Sequence, residues 1–368
     1  MKLPRPALSA IPREIASASD YEKLAPEFID KASFAYISGG CGNEETLNNN
    51  LQAFRKYNLQ QRLLREIKNG SCAQSLLGSQ LKHPIILGPV AHQKLVHPQG
   101  ESASAAAASA MDSVFVTSTL SHTKLETIAT KTNHAKWFQL YFQPDQAVTL
   151  DLLNRAELAG YQAIVVTLDV PINGLRYRAQ RAGFSMPEHL IEENLVHYPV
   201  SAPIELDQQQ SIVFDGLMQQ APNWKDLEWL RSQTHLPILI KGINHPADAK
   251  QARSIGINGL IVSNHGGRSL DGLPASLDIL PRIRKQVGAN YPLLLDGGIR
   301  GGGDIFKAIA LGANAVMIGR LQVYALAVAG ALGVAHMLRT LKSEFEVTMA
   351  LAGCEKLTDI NQESLYRN

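Results

Sequence analysis

The chain has 368 residues, with 35 Lys and Arg against 33 Asp and Glu and a net charge of +2. That balance, without a dense Lys/Arg run or basic residues interleaved with aromatics, lacks the electrostatic footprint of a nucleic-acid binder. Hydrophobic content of 45% and charged content of 18% exclude a disordered chain and suffice for a large core.

The N-terminal MKLPRPALSAIPREI carries Pro, Arg and Glu where a signal peptide needs an apolar stretch, so none is expected. Residues 1–83 are expected to form a helical extension across the main domain, with SGGCGN (38–43) as a turn. From Pro84 onward, short β-type runs alternate with helical ones. PIILG leads to ESASAAAASAM, SVFVTS to KLETIATK, and WFQLYF to TLDLLNRAELAG, with AIVVTLD after them. Then come PILIKG with PADAKQARSIG, GLIVS with LDILPRIRKQV, PLLLD with DIFKAIALG, and AVMIG with a last helix. The β-type runs are apolar throughout, as parallel strands covered on both faces require.

The alternation suits a doubly wound sheet as well, but a count of eight βα units selects a (β/α)8 TIM barrel in the α/β class. The expected layout is a single domain over 1–368, with the barrel at 84–353 and a tail at 354–368. The polar stretch 179–223, between strands four and five, exceeds ordinary loop length and reads as a lid-like insert. VYALAVAGALGV (323–334) is too short to span a membrane and reads as a buried helix, so no membrane association is expected. Three widely spaced cysteines, Cys41, Cys72 and Cys354, offer neither a disulfide framework nor a metal pair, consistent with a reducing cytoplasm.

In such a barrel the active site lies at the C-terminal ends of the strands. There the sequence places Pro89-Val90-Ala91, Ser118, Gln139 with Tyr141, Thr167 with Asp169, Lys241, His265 with Arg268, Asp296 to Arg300, and Gly319-Arg320. A full ring of polar or backbone-accessible positions is hard to explain as packing. DGGIRGGGD (296–304) and IGR (318–320) follow strands seven and eight, where barrels bind phosphate. Glycines admit backbone N–H groups to an anion, a helix N-terminus favours it, and Arg300 and Arg320 offer forked hydrogen bonds. The spacing is not that of a dinucleotide fold. SNHGGR (263–268) places a proton acceptor beside an arginine, and its glycines are expected to make room for ligands.

These motifs resemble the FMN-dependent 2-hydroxy-acid oxidases and dehydrogenases, which include glycolate oxidase and lactate oxidase. The resemblance runs from about Tyr21 to Gly353. It implies FMN across the strand ends. Pro89, Val90 and Ala91 would offer backbone atoms to the flavin, with Ser118, Gln139, Thr167 and Ser263 along its polar side and Lys241 near its N1–C2 carbonyl. Asp296, Gly298, Arg300, Gly319 and Arg320 would bind ribityl and phosphate. His265 matches the catalytic base, Asp169 its partner, Arg176 and Arg268 the carboxylate grip, and Tyr36 and Tyr141 the substrate hydroxyls. Leu120 occupies a variable substrate-pocket position. Gly301, Gly303 and Leu321 depart from the basic or polar residues and the proline common at their places in the phosphate region.

The implied activity is oxidation of a small L-2-hydroxy acid of the lactate or glycolate kind to the 2-oxo acid, with O2 reduced to hydrogen peroxide, in a homotetramer. The alternatives are a soluble dehydrogenase passing electrons to a quinone or protein, an FMN barrel of other chemistry, and a non-catalytic flavin binder. Ala91, where some dehydrogenases carry glycine, leans toward the oxidase. The last two readings would not need His265, Arg176 and Arg268 together.

Overall fold

A computed structural model describes residues 3–199 and 205–367. The expected strands form at their expected places: β1 (Ile85–Leu87), β2 (Val114–Ser118), β3 (Lys136–Leu140), β4 (Ala163–Thr167), β5 (Ile238–Ile243), β6 (Gly259–Val262), β7 (Leu293–Asp296) and β8 (Ala315–Ile318). Each pairs in parallel with the next, and β8 pairs with β1, so the sheet closes into an eight-stranded barrel. Side chains alternate between two cores. Ile86, Val116, Trp137, Val165, Ile261 and Leu294 pack inside the barrel. Ile85, Phe115, Phe138, Ile164, Leu260 and Leu295 pack outward with the helices. Both faces of every strand are therefore dry, which explains the unbroken apolar runs.

The N-terminal extension is less uniformly helical than expected. Helices Asp20–Leu24, Lys31–Ser38 and Glu45–Gln52 are followed by strand Tyr57–Leu59, which pairs antiparallel with Leu365–Arg367. A hairpin then joins Gln74–Leu76 to Ser79–Leu81, and its Leu76 and Leu81 join the barrel's inner core. The C-terminal tail is thus a partner of the extension. The small-residue helix Gly100–Ala110 packs closely on β2 and on Arg320–Ala352.

That last helical stretch is longer than the sequence suggested. By length and composition it could cross a membrane, but 78% of its apolar window is buried inside the protein. Ala329 (φ −149°) and Gly330 (φ 58°) break it, and a Cβ at Gly330 would lie 2.9 Å from His97 Nε2. The insert carries Tyr177–Arg181 at its start and short helical turns over Ile212–Gly216 and Leu217–Gln220. Its residues 200–204 lie outside the described residues.

Candidate active site

The strand ends open into a cavity of about 800 Å³, within the ~300–1,000 Å³ range of small-ligand and cofactor sites. Its walls come from all around the barrel: Tyr36, Pro89 to Ala91, Leu120, Tyr141, Arg176, Lys241, His265, Arg268, Asp296 to Arg300, and Gly319 with Arg320. Ser118, Gln139, Thr167, Asp169 and Ser263 are not part of this lining; Asp169 and Ser263 are hydrogen-bonded to the lining residues His265 and Asp296.

His265 follows β6 in the left-handed region, with φ 56°, a conformation that is uncommon outside glycine and needs surrounding support. The support is visible. Ser263 Oγ accepts from the His265 amide at 3.0 Å and donates to Asp296 Oδ2 at 2.6 Å. The buried side chains of Asn50 and Asn264 exchange two hydrogen bonds of 2.8 and 2.9 Å, tying helix Glu45–Gln52 to this loop. His265 Nδ1 lies 2.9 Å from Asp169 Oδ1, which leaves Nε2 as the free ring nitrogen. Asp169 reaches it because β5 carries glycine opposite: a Cβ at Gly242 would sit 2.6 Å from that of Asp169.

Burial, then the charge of Lys241, pushes the His265 imidazole below its ordinary pKa, with Asp169 opposing. Burial alone would raise the Asp169 carboxyl, but the His265 ring, by its charge when protonated and by its hydrogen bond, and the charge of Lys241 hold it below the usual range. The pair is therefore a neutral imidazole beside a carboxylate at neutral pH, poised to accept a proton.

Tyr36 organises the opposite wall. Its ring stacks on Phe184 at 4.2 Å and 13°, and the guanidinium carbons of Arg176 and Arg268 lie 5.4 and 5.0 Å from its centroid. Arg268 Nη1 donates to the carbonyls of Tyr36, Ile37 and Gly39, where helix Lys31–Ser38 ends. Arg176 Nε is buried with no partner among the described residues. Burial, followed by the charges of Arg176 and Arg320, lowers the pKa of Arg268. Such a site gains from an entering anion. The Tyr141 hydroxyl lines the same cavity, its pKa raised by burial and by Asp169.

On the cofactor side, Gln139 Nε2 and Thr167 Oγ1 are buried without hydrogen-bond partners among the described residues. A buried polar group left so costs ~1–3 kcal/mol. Ser118 Oγ and the Thr119 amide both donate to Gln139 Oε1 at 3.2 Å, which turns the Gln139 amide nitrogen to the free side. Lys241 Nζ lies 3.3 Å from Asp296 Oδ2. Gly319 has open space before it, and Gly298 (φ 81°) packs so close that a Cβ would lie 2.2 Å from Asn50 O. A flavin, with carbonyls and ring nitrogens along one edge and a phosphate at its far end, supplies what these atoms lack. The residues fit the group.

Three expectations are revised in detail. The amides of Arg300 and Gly301 donate to Asp304, and that of Gly302 to Glu344, so carboxylates of the chain itself cap the helix expected to face phosphate. Arg300 forms two hydrogen bonds to Glu22, of 2.6 and 3.0 Å, and Arg320 spends its guanidinium on the carbonyls of Ile37, Gly39 and Gly266. The glycines of SNHGGR do not clear space for ligands. A Cβ at Gly267 would strike Leu47, and one at Gly266 would meet Arg320 Nη1 at 2.9 Å. Glu22, Asn50, Gly242 and a pair of histidines, His92 and His122, also shape the site and are not among the residues expected from sequence. The histidines carried a usable signal, since each follows a barrel strand.

A polar floor awaiting a planar, acceptor-edged group, with an acid–base pair and two arginines above it, defines a flavin-dependent barrel oxidoreductase. Residues 25–367 match the model of the FMN-dependent dehydrogenase family, and the chain belongs to that family. Its cofactor is FMN. The chain is 53% identical over 355 residues to an L-lactate oxidase of Alicycliphilus denitrificans, covering 96% of this chain and 97% of the relative. It is 40% identical over 352 residues to a peroxisomal (S)-2-hydroxyacid oxidase of Arabidopsis thaliana, covering 95% and 96%. Among solved structures, mandelate oxidase with benzoyl-formic acid superposes with a TM-score of 0.87 at 37% identity, covering 96% of this chain and 98% of that one.

Proposed function

We propose that the protein oxidises a small L-2-hydroxy acid to the 2-oxo acid and passes the electrons to O2, releasing hydrogen peroxide. The observation that carries this reading is the meeting of His265–Asp169 with the Arg176–Arg268–Tyr36 cluster in one cavity. FMN, when bound, supplies the two-electron acceptor. Arg176 and Arg268 grip the substrate carboxylate, and their crowding relaxes as the anion enters. Tyr141 and Tyr36 hydrogen-bond the substrate and fix its orientation. His265 Nε2 takes the proton that the substrate loses, and Asp169 stabilises the resulting imidazolium through Nδ1–H.

Pro89, Val90 and Ala91 would back the flavin ring, Ser118, Gln139, Thr167 and Ser263 would serve its polar side, and Lys241 would favour negative charge on it. Asp296, Gly298, Arg300, Gly319 and Arg320 line the side of the cavity that would hold the ribityl phosphate, where Arg300 and Arg320 would contribute positive charge across their present partners. Leu120 bounds the substrate side chain. The relatives named above are oxidases, and Ala91 stands where some dehydrogenases of the family carry glycine, which favours O2 over a quinone. We place the protein in the cytoplasm on its three buried free cysteines. The exposed Leu63, Leu64, Val347 and Leu351, on segments joined by the Arg62 N–Ala352 O bond, support contact between copies of the chain, and the family resemblance makes that assembly a homotetramer.

Anaerobic addition of L-lactate or glycolate should bleach the flavin absorbance, and air should restore it with one equivalent of peroxide. Failure of every short 2-hydroxy acid to bleach it would overturn the activity. Reoxidation by a quinone and not by air would assign the protein to the dehydrogenases.

A further inference from the structure

Next to Leu120, whose carbonyl accepts from the His92 amide at 3.4 Å, the cavity wall turns polar. His92, in the loop after β1, lines it near the part-exposed Glu192 from the insert, and Leu95, Leu195 and Leu217 line the same cavity. This polar wall is built. The Glu101 carboxylate accepts from the amides of Gln93 and His122 at 3.0 and 3.2 Å, so one buried group positions both histidine-bearing loops. Asn194, also buried, accepts from Leu125 N at 2.8 Å and donates to Thr119 O at 3.1 Å. These bonds fasten the insert beside Glu192 to the barrel.

His92 Nδ1 lies 3.0 Å from His122 Nε2. His92 Nε2 lies 3.8 Å from Glu192 Oε1. The His122 Nδ1 atom is buried and has no partner among the described residues. A buried N–H without an acceptor is a rarer state than an idle lone pair, so His122 carries its proton on Nε2 and donates it to His92 Nδ1. His92 then holds its proton on Nε2, facing both the cavity and the Glu192 carboxylate. Burial, then the neighbouring His122 and the charges of Arg176 and Arg268, lowers the His92 pKa to about 4, so the ring is a neutral donor at physiological pH.

We propose that His92 and Glu192 form a specificity site for a hydroxyl group on the side chain of the 2-hydroxy acid. This rests on the activity proposed above. An N–H donor and a carboxylate acceptor 3.8 Å apart admit an oxygen at hydrogen-bond distance, ~2.8–3.0 Å, from both. A hydroxyl both accepts and donates, so it satisfies the two together. A methyl group would cover the N–H without accepting from it. A second carboxylate meets the charge of Glu192, and an ammonium meets the His92 donor. The preferred substrate class is therefore a short acid with hydroxyls on C2 and C3.

L-glycerate and L-lactate differ by that one hydroxyl and are the probes. Wild-type kcat/KM should favour L-glycerate by at least about tenfold. His92→Leu should lower it for L-glycerate by tenfold or more while moving L-lactate by no more than a few-fold, and His92→Gln, which keeps an N–H, should recover part of the preference. Equal losses on both acids in His92→Leu would overturn the site. So would a wild-type preference for L-lactate, a result that needs no variant to fold. Flavin content and melting temperature of each variant separate a lost contact from a lost fold. If neither acid reduces wild-type flavin, the activity itself has failed, a result distinct from an unchanged ratio between two working substrates.

Discussion

Removing the base and removing its partner should not have independent effects. His265→Gln deletes the acceptor whose neutral form the structure favours, and general-base catalysis contributes ~10²–10⁴-fold, or ~2.7–5.4 kcal/mol. Asp169→Asn leaves the base but changes what it meets after protonation. The imidazolium then sits near Lys241 and Arg268, both of which oppose its charge, and Asp169 offsets them through a 2.9 Å contact. A hydrogen bond to a charged group is worth ~1.5–3 kcal/mol, so Asp169→Asn should slow flavin reduction ~10–150-fold. In the double variant there is no imidazolium to stabilise, and its rate should match that of His265→Gln within a few-fold. Anaerobic stopped-flow reduction reads the step directly, with flavin content checked first. Wild-type reduction by His265→Gln would remove the histidine from the chemistry. A full Asp169 effect in the His265→Gln background would show that the carboxylate acts on something else.

Arg176→Lys and Arg268→Lys should each raise KM while retaining flavin, because lysine keeps the charge and loses the fork; the Arg268 change should also lower the melting temperature, since Nη1 fastens three carbonyls at a helix end. Unchanged KM in both would refute the carboxylate grip. Burial holds His92 and His122 at about 4 rather than the ordinary 6.5, so their contribution to stability is complete above pH 6.5 and is lost as pH falls through 4. The melting temperature should drop across that window, and by less in His122→Gln; an equal drop would exclude the pair. Gly298→Ala needs a side chain at φ 81° and 2.2 Å from Asn50 O, and it should yield protein with weakened FMN retention and lower stability, measured by flavin fluorescence on dilution and by thermal melts.

The barrel was legible because its strands obey a local rule. Val114–Ser118 and Ala163–Thr167 are buried at every residue, and burial on both faces writes itself as an uninterrupted apolar run. Strand Tyr57–Leu59 obeys no such rule. Its register depends on Leu365–Arg367, about 300 residues away, and two of its three side chains are exposed. The site shows the same division. His265, Asp169 and the tyrosines were readable as types of group at strand ends. The settings of Arg300 and Arg320 were not, because their partners Glu22, Ile37 and Gly39 arrive from the far end of the chain. A strand-end arginine in sequence says that a cation is present, not which oxygen holds it.

That distant segment gives the extension more than a covering role. Helix Lys31–Ser38 supplies the Tyr36 ring against which both substrate arginines rest, and its terminal carbonyls hold Arg268 and Arg320. Asn50 clasps the loop that carries His265, and Glu22 holds Arg300. Undocking this segment would free four arginines into one cavity, where their mutual repulsion and the loss of carbonyl partners would disperse them. The barrel sets where the chemistry happens, and the N-terminal helices set the charges that make it selective for an acid. A variant that loosens residues 20–52 should therefore lose substrate affinity before the barrel itself unfolds.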